Sequence, residues 1–143
     1  MKLFFLTCAA FALCICGAQQ LPSQTTANVS ATIQSSNGQT VALDDFSDLV
    51  GVQPGEVVTV TVQFASKHAG EAVEVGSLDG GWIGNASSAA SAQGLVTFRF
   101  RAPANNGQIR ILVRHGLTNL QLLFWVLSPN PENNPPVVTP ANH

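Results

Sequence analysis

Apolar and polar residues alternate with a period of two through most of this chain, the spacing of half-buried β-strands. Val29, Ala31 and Ile33 alternate with Ser30, Thr32 and Gln34, and a turn over Ser35 to Gly38 leads to a short continuation through Val41 and Leu43. In EVVTVTVQF, Val58, Val60, Val62 and Phe64 share one face and Thr59, Thr61 and Gln63 the other. EAVEV places Val73 and Val75 inward and Glu74 outward; LVTFRFRA places Val96, Phe98 and Phe100 inward against Thr97, Arg99 and Arg101. One stretch breaks the pattern: DDFSDL spaces Phe46, Leu49 and Val50 like a helical turn with aspartates at its start, where the helix dipole favours them.

The last two strands carry their own register. GQIRILVR and NLQLLFWV are joined by His115-Gly116-Leu117-Thr118, and Gly116 suits the first central position of a type II′ turn. That turn sets Val113 opposite Leu120, Ile111 opposite Leu122 and Ile109 opposite Phe124. A slip of one residue would separate all three apolar pairs. About seven strands at short spacing, with turns rich in Gly, Pro and Asn, predict an all-β, antiparallel two-sheet sandwich, a small barrel being the alternative.

The ends of the chain read differently. MKLFFLTCAAFALCICGA holds one basic residue, an apolar run too short to span a membrane, and all three cysteines, Cys8, Cys14 and Cys16. Residues 1–18 are therefore expected to be a secretory signal peptide cleaved after Ala18, which leaves a thiol-free chain with no transmembrane segment. Lipid attachment would need a small residue before the cysteine, and Ile15 precedes Cys16. The protein is expected to be secreted, periplasmic or at the cell surface. Residues 19–26 are a polar leader and 27–127 the sandwich. In 128–143, Pro129, Pro131, Pro135, Pro136 and Pro140 predict an extended, mobile tail.

Composition narrows the function classes. The net charge of −2, with only six basic residues, excludes an extended basic surface, so nucleic acid is not an expected partner. The blocks VQPGEVVTVTVQF, AQGLVTFRFRAP, GQIRILVRHG and LQLLFWV resemble those of immunoglobulin-like domains of bacterial exported and surface proteins, over roughly Ala27 to Leu127. The resemblance implies an immunoglobulin-like sandwich serving as a spacer, adhesion module or binding accessory. Two antibody-type features are missing: an inter-sheet cysteine pair, and any tyrosine.

Catalytic chemistry finds no foothold in the sequence. There is no G-x-S-x-G elbow, no H-E-x-x-H helix and no phosphate-binding glycine loop. His68 and His115 fall at turns and read as exposed loop residues. Asp44, Asp45 and Asp48 lack the alternating spacing and glycine of a calcium loop, and helix-start capping accounts for them equally well. No catalytic residue, metal or cofactor is expected. Asn28 and Asn85 each head an N-x-S acceptor.

Two surfaces are candidates for binding. Beyond its core face, the final hairpin carries Gln108, Arg110, Leu112, Arg114, Gln121, Leu123 and Trp125. Leu112, Leu123 and Trp125, with Arg110 beside the indole, have the profile of a protein-contact surface and of weak self-association. The alternative is that the tail, the DDFSDL turn or a further layer covers them. The second surface is the glycine-rich segment 76–94, where Trp82 could stack on a sugar with Asp79 as a hydrogen-bond acceptor. Trp82 and Ile83 could instead plug one end of the core or start an edge strand. The expected function is a non-catalytic exported module for protein binding, adhesion or a structural role, the alternative being a carbohydrate-binding accessory domain using Trp82 or Trp125.

Overall fold

A computed structural model describes residues 29–65, 70–87 and 89–139. The segments expected to be a signal peptide and a leader, with Asn28, His68 and Pro140, lie outside the described residues. Among the described residues nine strands form: β1 (Ser30–Gln34), β2 (Thr40–Leu43), β3 (Leu49–Val52), β4 (Val57–Gln63), β5 (Val73–Ser77), β6 (Trp82–Gly84), β7 (Leu95–Arg101), β8 (Gly107–His115) and β9 (Thr118–Val126). They make two sheets, ordered β2-β1-β4-β7-β6 and β3-β9-β8-β5.

The two sheets bury the apolar positions that the alternation identifies. Ile33, Val58, Val60, Val62, Phe98 and Phe100 from the first meet Val50, Ile109, Ile111, Leu122 and Phe124 from the second. Phe100 and Phe124 pack with ring centroids 5.0 Å apart and planes tilted by 49°. The hairpin pairs in the expected register, Ile109 with Phe124, Ile111 with Leu122 and Val113 with Leu120. Gly116 at the turn has φ +57°, a conformation that suits glycine and that a side chain would strain.

The strands number nine rather than about seven, and the two additions have physical causes. Where DDFSDL predicts a helical turn, Ser47 N–H and Oγ–H donate to Asp45 Oδ1 at 2.9 and 2.6 Å. This Asx-type turn ends the segment early and releases Leu49–Val52 to pair with β9. That pairing is parallel, so the second sheet is not wholly antiparallel. The other addition, β6, joins the edge of β7 with only three residues, too few to show alternation.

Two further expectations are corrected. His115 is not an exposed loop residue: it is 1% exposed and stacks on Phe64 at 4.8 Å, because alternation along β8 carries its ring into the sandwich. Nor is the proline-rich segment a free tail as far as Thr139. Asn130 caps one 3-10 turn, Pro131–Asn133. Beyond it, Val138 bridges to Val50 in parallel, with Gly51 N–H donating to Val138 O at 2.9 Å and Val138 N–H to Leu49 O at 2.8 Å. A Cβ on Gly51 would lie 2.8 Å from Val137 Cγ2, so this glycine makes room for the returning chain. The contact covers the outer edge of β3, which would otherwise present unpaired backbone groups.

Candidate functional site

The two predicted surfaces fare differently. On the last hairpin, Leu112, Leu123 and Trp125 do face away from the core, and all three are half-buried rather than open. Trp125 Nε1–H donates to Asn134 Oδ1 at 3.2 Å; the same oxygen accepts from Ser128 N–H at 2.7 Å, and Asn134 Nδ2–H donates to Ser128 O at 3.1 Å. The returning chain thus covers Trp125, one of the internal covers that the sequence left as alternatives.

Asp79 and Arg110, assigned from sequence to separate surfaces, bind each other. Arg110 Nε and Nη2 donate to the two carboxylate oxygens of Asp79 at 2.7 Å each, and Arg110 N–H donates to Oδ2 at 2.8 Å. These bonds hold the Asp79 carboxyl down at about 2, below its ordinary 3.8, the guanidinium contributing first and the backbone N–H next. Asp79 therefore fastens the β5–β6 loop to β8. Arg110 is committed to this fork, and the cation–π contact among the described residues joins Arg101 to Trp82 instead.

Trp82 is 52% exposed, and its setting is specific. Along β6, Ile83 turns inward against the core while Trp82 and Gly84 lie on the outer side. The indole folds forward over its second neighbour. A Cβ built on Gly84 would fall 1.8 Å from Trp82 Cη2, 2.3 Å from Cζ2 and 2.4 Å from Cζ3. With Cη2 nearest and its two neighbours almost equidistant, that point stands off the ring face, not beyond the ring edge. The ring therefore lies flat on the strand, in space that only a glycine leaves free.

Pairing across the sheet defines the surroundings. Trp82 is opposite Arg101 and Gly84 opposite Arg99 on β7. Arg99 is opposite Thr59 on β4, and Thr59 opposite Gln34 on β1. The next row is Thr97, Thr61 and Thr32. The guanidinium carbon of Arg101 is 5.9 Å from the Trp82 ring centroid, within cation–π range. The result is a flat face of hydroxyl, amide and guanidinium groups with one indole at its edge.

Sequence reasoning singles out Trp82 and misses Gly84, Arg99, Arg101, Gln34 and Thr59. Alternation in LVTFRFRA already turns both arginines outward. That they flank Trp82 depends on the pairing of β6, which a three-residue strand does not announce. A polar hollow of about 200 Å³ opens at one end of the sandwich between Ser35, Asn37, Gln39, Gln53 and Glu56, where Glu56 Oε2 accepts from Gln53 N–H at 2.7 Å. Among the described residues, no three His, Cys, Asp or Glu side chains come together as a metal site would require, and no helix is long and apolar enough to cross a membrane. No protein-family model matches the chain, and no curated protein matches it.

Proposed function

We propose that this chain is an exported, non-catalytic binding module, an immunoglobulin-like sandwich that holds a carbohydrate chain against the outer face of its five-stranded sheet. The observation that carries the reading is the Trp82 ring lying flat over Gly84, half open to solvent and bordered by Arg101 and Arg99. A pyranose ring presents an apolar C–H face and a rim of hydroxyls. A flat indole takes the first, and fixed donors and acceptors on neighbouring strands take the second. Thr59, Gln34 and the two arginines supply that second set at positions set by strand pairing.

The order β1-β4-β7-β6 in one sheet and β9-β8-β5 in the other matches the ABED and GFC arrangement of immunoglobulin-type sandwiches, which supports the family reading. The apolar run at the N-terminus supports export. Protein docking on the last hairpin has less to rest on, because Asn134 ties down Trp125 and Asp79 engages Arg110.

The test is affinity electrophoresis of purified protein from Gln19 onward through gels carrying neutral or charged polysaccharides. At least one polymer retards the wild type, Trp82→Ala abolishes the retardation, and Trp125→Phe keeps it. Retardation that survives Trp82→Ala, or no retardation in any gel, overturns the proposal.

A further inference from the structure

We infer that the Trp82 face takes an acidic polysaccharide, a chain bearing carboxylates on its sugar rings; this rests on the carbohydrate reading above and names the ligand class. The inference comes from how the charges are distributed. Of the four arginines among the described residues, Arg110 pairs with Asp79 at 2.7 Å and Arg114 with Glu74 at 3.4 Å. Arg99 and Arg101 form no ion pair among the described residues. Both are exposed, and both sit on the face that carries Trp82. On a chain whose net charge is −2, the two unneutralised guanidinium groups are thus gathered on one face, beside the one exposed indole.

Acidic groups keep away from this face. The outward positions of β1, β2, β4 and β7 hold Ser, Thr, Gln, Ala, Val, Leu and the two arginines, with no carboxylate. Asp44, Asp45 and Asp48 follow the far end of β2, about 20 Å along the strand direction from Arg101. That exceeds the Debye length of about 8 Å at physiological salt. Asp79, nearest in sequence to Trp82, is already neutralised by Arg110, and Glu56 turns its carboxylate to Gln53 N–H.

Arg99 and Arg101 are two residues apart on one strand, hence about 7 Å apart on one face. A guanidinium fork matches a planar carboxylate through two parallel hydrogen bonds. A chain lying along β7 could set one sugar on Trp82 and offer carboxylates of neighbouring sugars to both arginines. Nucleic acid fits less well, since its binders neutralise many phosphates and stack several bases, whereas this face has two cations and one aromatic ring.

The experiment compares polygalacturonate with the same polymer fully methyl-esterified, which keeps the sugar backbone and removes the charge. Binding to wild type, Arg99→Gln/Arg101→Gln and Trp82→Ala is measured at low and high salt, with circular dichroism to confirm that each variant is folded. Wild type binds the acid form about tenfold more tightly than the ester at low salt, and the preference disappears at high salt and in the double arginine variant. Trp82→Ala loses both polymers. Equal, Trp82-dependent binding of acid and ester overturns this inference and leaves the carbohydrate reading standing. Failure of both polymers to bind while a neutral polysaccharide binds through Trp82 has the same meaning. Single-stranded DNA that binds as tightly as polygalacturonate and competes with it also overturns the inference, because the face would then be a general polyanion surface.

Discussion

Gly84→Ala separates the seat of the Trp82 ring from the fold beneath it. The added methyl would occupy a point 1.8 Å from Trp82 Cη2, so the ring must leave the strand. The side chain is the movable partner, because Gly84 itself lies in ordinary extended backbone, outside the positive-φ positions. A tryptophan buries about 150–250 Å² when enclosed, and this one is 52% exposed, so it covers about 100 Å². At about 25 cal/mol per Å², full release would cost at most about 2.5 kcal/mol, and lifting the ring by one methyl forfeits about half of that. Alanine in place of glycine returns about 0.5–1 kcal/mol through the unfolded chain. The net change is about 0–1 kcal/mol, a fall in Tm of at most about 5 °C.

The assay is tryptophan fluorescence in a Trp125→Phe background, so that Trp82 is the sole reporter. Gly84→Ala is expected to shift the emission to longer wavelength and raise acrylamide quenching, with circular dichroism unchanged and polysaccharide affinity lowered about tenfold. Unchanged emission, quenching and binding would refute the seating of the ring. A loss of 3 kcal/mol or more would show that the ring is part of the core.

The ion pair between Asp79 and Arg110 gives a pH signature. Because the folded carboxyl sits at about 2, below its ordinary 3.8, its contribution is complete above about pH 4 and is lost as pH falls toward 2. The Tm gap between wild type and Asp79→Asn should close over that window; a gap independent of pH would contradict it. Gly51→Val drives a side chain into the space of Val137 and Thr139. In a Trp82→Phe background, amide exchange at position 51 and at Val138 should accelerate, and Trp125 emission should shift to longer wavelength as Asn134 releases it; unchanged protection would mean that the returning chain is held elsewhere. Ile111→Ala, at a wholly buried position in the hairpin register, should cost about 2–5 kcal/mol in urea unfolding, and a cost under 1 kcal/mol would argue against that register.

Legibility in the sequence followed the strength of local signals. The seven strands with clear alternation or a short continuation formed, and the last hairpin took its expected register because turn chemistry and three apolar pairs agree there. Of the two further strands, β6 is the edge strand that Trp82 and Ile83 left open as an alternative, whereas β3 has no local signature. Leu49–Val52 is apolar throughout apart from a glycine and follows a turn that mimics a helix start, and Trp82–Gly84 has three residues. Trp82 stood out because a tryptophan among glycines is conspicuous. Its partners did not, because Arg99 and Arg101 meet it only through long-range pairing. Proline suggested a free tail, yet prolines at 135 and 136 leave both backbone groups of Val138 able to bond to β3. The opposite error with His115 has a similar cause, since two-residue alternation continues to the last residue before the turn and carries the imidazole inward.

The central claim is that the ligand lies on the outer face of the five-stranded sheet, at Trp82. The most direct measurement is a ¹⁵N-correlation NMR titration of the protein from Gln19 onward with polygalacturonate oligomers, following backbone amides, the two indole N–H signals and the arginine side-chain N–H groups. The account predicts that the Trp82 indole, the amides of 82–84, and the Arg99 and Arg101 side chains shift together and saturate at one concentration, while the Trp125 indole stays in place. Shifts centred on Trp125, Leu112 and Leu123, with Trp82 unmoved, would contradict it and move the contact surface to the last hairpin.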